Sequence, residues 1–170
     1  MTTGNSNRIL LLIAAAFLLG CGSSPEISVP PEPDVESLRA EVLAAEDAMN
    51  LAVDGLDCES GLSLIGDAET LFEPLFVSGG NVVRTRSVLM ELCEQMVAPR
   101  TGAVFTADSR TANLLSDDAA LVVREGNYAI SFKDGTSVEQ YMVMTTVWAR
   151  GSDGWKMVHL HESFRPQSEN

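Results

Sequence analysis

The chain has 170 residues, and its 24 acidic and 11 basic side chains give it a formal net charge of −13. Such an acidic protein lacks the basic footprint that nucleic-acid binding requires. The length suits one domain with a core of its own. Because the sequence contains no CxxC, no HExxH and no Cys/His cluster, it predicts neither a metal site nor a cofactor.

The amino terminus resembles a bacterial lipoprotein signal over residues 1–20. An apolar run covers residues 9–19 and is too short to span a bilayer, which takes roughly 20 residues. The run closes on Leu-Leu-Gly-Cys at 18–21, which resembles a lipobox with Cys21 as the lipid-bearing residue. The resemblance implies a lipid anchor in the cell envelope, and Gly22 implies the outer membrane, facing the periplasm. An ordinary secretory signal and an uncleaved anchor are the alternatives.

A proline-rich tether is predicted at residues 21–34, followed by a long amphipathic helix with Asp34 as its N-cap. Apolar residues recur in steps of three and four over about six turns. They are Val35, Leu38, Val42, Ala45, Met49, Ala52 and Leu56. The opposite, solvent-facing side is predicted to carry Glu36, Arg39, Glu46, Asp47 and Asp54.

Shorter elements follow this helix. Residues 57–66 predict a short helix, residues 75–84 a hairpin, and Thr85 the cap of a third helix that reaches Val97 and stops before Pro99. The inward residues of the third helix are predicted to be Val88, Leu89, Leu92, Cys93 and Met96. With Cys21 assigned to lipid, Cys58 and Cys93 remain as an even pair in an oxidising compartment. A disulfide between them is predicted, with two separate buried thiols as the alternative.

The second half of the chain predicts four long strands at residues 101–115, 119–132, 136–150 and 155–164. Short turn signals separate them, and short connections imply antiparallel neighbours. Helices followed by a meander predict an α+β domain with helices on one face of a curved sheet.

The last hairpin carries a recognisable pattern. It reads T-x-V-W from Thr145 to Trp148, then six residues, then W-x-x-V-H-x-H-x-S from Trp155 to Ser163. The pattern resembles the SnoaL-like, nuclear transport factor 2-like superfamily. Within it, the closest resemblance is to the association domain of calcium/calmodulin-dependent protein kinase II. The resemblance implies a cone-shaped, cystatin-like fold over residues 35–165, with a tail at 166–170, in which a bent sheet wraps around the first helix and leaves a cavity.

The resemblance also assigns a cavity. Its predicted lining is Met142, Met144, Thr146, Leu160 and Glu162. The positions that match Thr146 and Glu162 carry arginines in the association domain, whereas here one is neutral and the other acidic. The expected ligand is therefore neutral, apolar or cationic rather than anionic. The alternative is that Glu162 pairs with an arginine such as Arg84 or Arg124 and holds no ligand.

Strand alternation predicts that His159, His161 and Ser163 share a face with Trp155 and Met157. The resemblance puts the two histidines on the convex face, in the contacts of a homodimer, with a ligand site or a metal as alternatives.

Three functions remain open. The favoured one is a lipid-tethered module that binds a small molecule or dimerises without catalysis. The second is an enzyme similar to steroid isomerase or polyketide cyclase, with Glu162 as base and Tyr128 or Tyr141 as donor. The third is a structural envelope lipoprotein that acts through its surface.

Overall fold

The computed structural model describes residues 34–66, 75–78 and 80–166. The predicted signal, nearly all of the tether and the end of the tail, with the lipidation candidate Cys21, lie outside the described residues. The helices are α1 Val35–Asp54, α2 Cys58–Ser63 and α3 Arg86–Val97. The strands are β1 Leu75–Ser78, β2 Asn81–Val83, β3 Arg100–Ser116, β4 Ala119–Phe132, β5 Ser137–Gly151 and β6 Gly154–Pro166. None of the described helices is long and apolar enough to cross a membrane.

Helix α1 begins as predicted, since the Asp34 carboxylate accepts a hydrogen bond from the backbone amide of Glu36. Most of the predicted apolar stripe is buried, but Val35 is 53% exposed. The prediction that Glu46 faces solvent is wrong, because its side chain is only 1% exposed. Glu46 follows Val42 by four residues and precedes Met49 by three, so it lies on the same helical face as these buried residues.

Helix α3 lies more loosely on the domain than predicted. Val88 and Met96 are 44% and 51% exposed, so their assignment to the core is wrong. Leu89 and Cys93 do pack against the core. A disulfide bond joins Cys58 of α2 to Cys93, with 5.8 Å between their Cα atoms.

The sheet has the order β2-β1-β6-β5-β4-β3. Strands β3 to β6 form the antiparallel meander that the short turns predict. The predicted hairpin is formed by β1 and β2, and β1 extends the sheet by pairing in parallel with β6. The structure is therefore α+β, with a six-stranded curved sheet and helices at the amino-terminal end.

A close approach between β3 and β4 occurs where the register of β3 shifts between Ala107 and Ser109. A Cβ atom on Gly126 of β4 would lie 2.1 Å from the carbonyl oxygen of Thr106. Glycine is therefore required at this position, because any side chain would collide with backbone.

Strand β6 contains a bulge that reverses its side-chain alternation. Val147 pairs with His159 but Trp148 pairs with Met157, so Val158 is the additional residue. Trp155 and Met157 consequently lie on the core side together with Leu160 and Glu162, and the histidines lie on the other side. The prediction that the histidines share a face with Trp155 and Met157 is wrong, because strict alternation does not survive a bulge.

Candidate functional site

A small cavity of about 80 Å³ lies between α1 and the concave face of the sheet, and we call it the inner chamber. The five residues predicted to line a cavity all border it: Met142, Met144, Thr146, Leu160 and Glu162. The Thr146 hydroxyl accepts a hydrogen bond from the Trp148 indole nitrogen at 2.9 Å. This bond holds the Thr146 hydroxyl at the wall.

Polar residues from α1 enter the same chamber. Glu46, Asn50 and Asp54 follow one another at intervals of four, which places them along one line of the helix. Across from them, β4 contributes Arg124, which is 4% exposed. From the sequence alone, Arg124 is expected merely as an alternative partner for Glu162, and Glu46 is expected in solvent. The flanking Val42 and Met49 were the signal that Glu46 is internal.

Glu46 and Arg124 form a buried ion pair, with 3.5 Å between Glu46 Oε1 and Arg124 Nε. The spacing satisfies an ion pair but not a hydrogen bond of good geometry. Within the described part of the chain, both Glu46 oxygens and Arg124 Nε and Nη1 have no hydrogen-bond partner. The other guanidinium nitrogen, Nη2, is 3.7 Å from the Met144 sulfur, and the group stacks 4.4 Å from the centroid of Phe105. The pair therefore keeps unused hydrogen-bonding capacity, buried beside the chamber that its two residues border.

Burial dominates the electrostatics of this pair. It raises the pKa of the Glu46 carboxyl above its ordinary value, although the charges of Arg124 and Arg110 oppose the rise. It also lowers the pKa of the Arg124 guanidinium, opposed by Glu46 and Glu162. Arginine titrates so far above neutrality that Arg124 keeps its proton.

A second, larger cavity of about 500 Å³ adjoins the first, and we call it the outer chamber. The residues that border both chambers are Met49, Val53, Tyr128, Met157, Leu160 and Glu162. The Cys58–Cys93 disulfide and apolar residues of α2 and α3 form much of the remaining wall. The Tyr128 hydroxyl accepts a hydrogen bond from Arg100 Nη1 at 3.1 Å, and burial raises its pKa.

The other candidate residues lie away from the chambers. The Tyr141 hydroxyl donates to Glu125 at 3.2 Å and its ring stacks 4.3 Å from the Arg165 guanidinium. His159 and His161 pair with residues of β5 on the convex side of the sheet. In the described ranges, 34–66, 75–78 and 80–166, no group of three or more potential ligands is arranged to hold a metal ion. Of the two tyrosines proposed as donors, Tyr128 is the one that lines the cavity.

Comparison with known proteins identifies the family. Residues 38–166 match the family model described as calcium/calmodulin dependent protein kinase II association domain. The chain belongs to this family. The resemblance that the last hairpin indicates is thereby confirmed. No curated protein is similar enough in sequence to be matched with the chain.

Solved structures show the same fold. A candidate calcium/calmodulin dependent protein kinase II association domain from Xanthomonas campestris is 20% identical, with a TM-score of 0.61, over 82% of this chain and 93% of the other. A candidate dehydratase of the NTF2-like family from Streptomyces avermitilis is 23% identical, with a TM-score of 0.68, over 76% and 98%. The hexachlorocyclohexane dehydrochlorinase LinA-type3 from Novosphingobium barchaimii is 15% identical, with a TM-score of 0.63, over 79% and 93%. The domain therefore has the nuclear transport factor 2-like fold, which binding proteins and enzymes share.

Proposed function

We propose that this domain is a binding module that holds a small molecule across the inner and outer chambers. The observation that carries the proposal is the pair of adjoining chambers, about 80 Å³ and 500 Å³, whose lining is largely apolar and includes the charged residues Glu46, Arg124 and Glu162. Ligand sites commonly combine an apolar lining with a few polar groups that orient the ligand.

The binding test uses a tryptophan that would fill the cavity. Val53 borders both chambers, and Leu51, on the same helix, is 75% exposed and borders neither. The neutral fluorescent probe N-phenyl-1-naphthylamine should bind the native domain saturably. Val53→Trp should weaken this binding at least tenfold, and Leu51→Trp should leave it unchanged. Equal binding by both variants, or no binding by the native domain, would contradict the proposal.

The proposal includes a lipid tether at Cys21, with the domain held at the outer membrane on the periplasmic side. It is supported by the Leu-Leu-Gly-Cys sequence at 18–21 and by the acidic, proline-containing segment that follows. Labelling of cells with a radioactive fatty acid should mark the native protein and not the Cys21→Ser variant. Label retained in Cys21→Ser would reject this attachment site.

Dimerisation through the convex face is the remaining part of the proposal. Leu121, Val123, Val143 and Val147 lie on this face beside the two histidines, and α1 packs against the opposite face. Sedimentation velocity should find a dimer that Val143→Glu converts to a monomer. Val138 is the matched control, because it lies on the same strand with similar exposure (39% against 36%) but on the other face. A monomeric native protein, or equal effects of Val143→Glu and Val138→Glu, would exclude this interface.

A further inference from the structure

Helix α3 turns its apolar side toward the outer chamber. Five of its residues border that chamber: Leu89, Leu92, Cys93, Met96 and Val97. Its acidic residues Glu91 and Glu94 are exposed. No residue of α3 is fully buried, although Leu89 and Cys93 pack in part against the core. An amphipathic helix usually buries its apolar side against a solid core, whereas α3 closes one side of a cavity.

A disulfide bond fastens this helix to the rest of the wall. It joins Cys93 of α3 to Cys58, the first residue of α2, and both cysteines border the outer chamber. Residues 84–99, which contain α3, leave the sheet after β2 and return to it at β3. Once the bond is broken, α3 can therefore move away from α2 while both strands stay paired. Segments with few buried apolar contacts are the ones that open locally in folded proteins.

Cys58 and Cys93 are both only half-buried, so a reductant can reach the bond. We propose that the disulfide is a redox-controlled fastening of the outer chamber: its reduction releases α3, opens the chamber and lets a bound ligand leave. The thiolate of a dithiol attacks one sulfur of the bond, and the dithiol ends as a disulfide while the two cysteines take up its two electrons and two protons. The ligand leaves because it loses the apolar contacts that α3 supplies. Ligand release rests on the proposed binding function, whereas the loosening of α3 does not.

Hydrogen exchange followed by mass spectrometry tests the loosening of α3. The purified protein is compared in its oxidised form and after reduction with tris(2-carboxyethyl)phosphine, with the free thiols counted to confirm the reduction. Amides of α3 should exchange at least tenfold faster after reduction, whereas amides of α1, β4 and β5 should keep their rates. Unchanged exchange in α3 would overturn the proposal. Faster exchange throughout the domain would also overturn it, because the disulfide would then hold the whole fold and not one wall of the chamber.

Binding of N-phenyl-1-naphthylamine to the same two forms tests the release of ligand. Reduction should weaken binding at least tenfold, and reoxidation should restore it. The double variant Cys58→Ser with Cys93→Ser should bind as weakly as the reduced protein and should not respond to the phosphine. Equal affinities of the oxidised and reduced forms would overturn control of the chamber by the disulfide and leave the binding function intact. No binding by the oxidised form would contradict the binding function and with it the release of ligand, and the exchange rates would still decide whether the disulfide fastens α3.

Discussion

Replacing Glu46 of α1 with leucine tests whether the ion pair between Glu46 and Arg124 is buried away from water. The substitution leaves the Arg124 guanidinium, 4% exposed, as a buried charge without its counter-ion. Removing one partner of a buried pair typically costs about 3–5 kcal/mol. Against a total stability of roughly 5–15 kcal/mol for a domain, this loss is large. For a domain of this size it lowers the melting temperature by roughly 10–20 °C.

The neighbouring residue on α1 supplies the control. Asp47 pairs with Arg110 on β3, but the two side chains are 59% and 31% exposed. Exposed pairs contribute roughly 0–1 kcal/mol, so Asp47→Ala should change the free energy of unfolding by no more than about 1 kcal/mol. Urea denaturation followed by tryptophan fluorescence measures both variants, since Trp148 and Trp155 are buried.

The reciprocal variant Arg124→Met should lose about as much stability as Glu46→Leu, and the double variant should recover most of the loss. Recovery is expected because replacing both charges with apolar residues removes the desolvation penalty of each. Two results would refute the argument. One is a loss in Glu46→Leu as small as in Asp47→Ala, and the other is a loss in the double variant equal to the sum of the single losses.

Three further predictions concern the frame of the site. Gly126→Ala should lower the free energy of unfolding in urea by roughly 1–3 kcal/mol, because the added Cβ would collide with the backbone of β3. Gly102→Ala should have a far smaller effect, because nothing lies within 4 Å of its added Cβ. Equal effects of the two variants would contradict the close approach. Replacing both Cys58 and Cys93 with serine should lower stability by about 4 kcal/mol, as expected for releasing a closed loop of this length, and an unchanged urea midpoint would contradict it. Hydrogen bonds from the serine three residues on lower the pKa of the exposed Asp57 carboxyl at the start of α2. The stabilisation that the ionised Asp57 carboxylate provides should therefore be present above pH 3.8 and be lost as the pH falls through the lowered pKa. The stability difference between the native protein and Asp57→Ala should accordingly vanish in strong acid, and a difference that persists there would contradict this prediction.

Much of the fold was predictable because its elements follow simple periodicities. The steps of three and four after Asp34 locate α1, and the turn signals locate β3 to β6. Parallel pairing of β1 with β6 was not predictable, since nothing local to Leu75–Ser78 specifies a strand more than 70 residues away. The bulge at Val158 was also not predictable from the sequence, because a bulge depends on how two strands pair and not on the composition of either strand.

The candidate site was predictable in its apolar part and missed in its polar part. Met142, Met144 and Thr146 lie at every second position of β5, so their side chains share one face of the sheet and a correct prediction for one holds for all three. Glu46 was assigned to solvent by residue type, although its spacing from Val42 and Met49 put it on the buried face. The same alternation runs through Ala120, Val122 and Arg124 of β4. It indicates that Arg124 faces inward, if the position of the residue in the strand is given more weight than its charge.

The energetics of Glu46 and Arg124 argue that stability is not the reason for their burial. A buried pair that also leaves hydrogen-bonding atoms unused is no more stabilising than apolar residues of similar volume, and is often less so. The family resemblance leads one to expect arginines at positions 146 and 162, where this chain has threonine and glutamate. Arg124 supplies a cation to the same cavity from β4, and Glu46 neutralises it. Under the proposed binding function, this pairing removes the unopposed cation that an anionic ligand would need, and the apolar double variant should keep its fold.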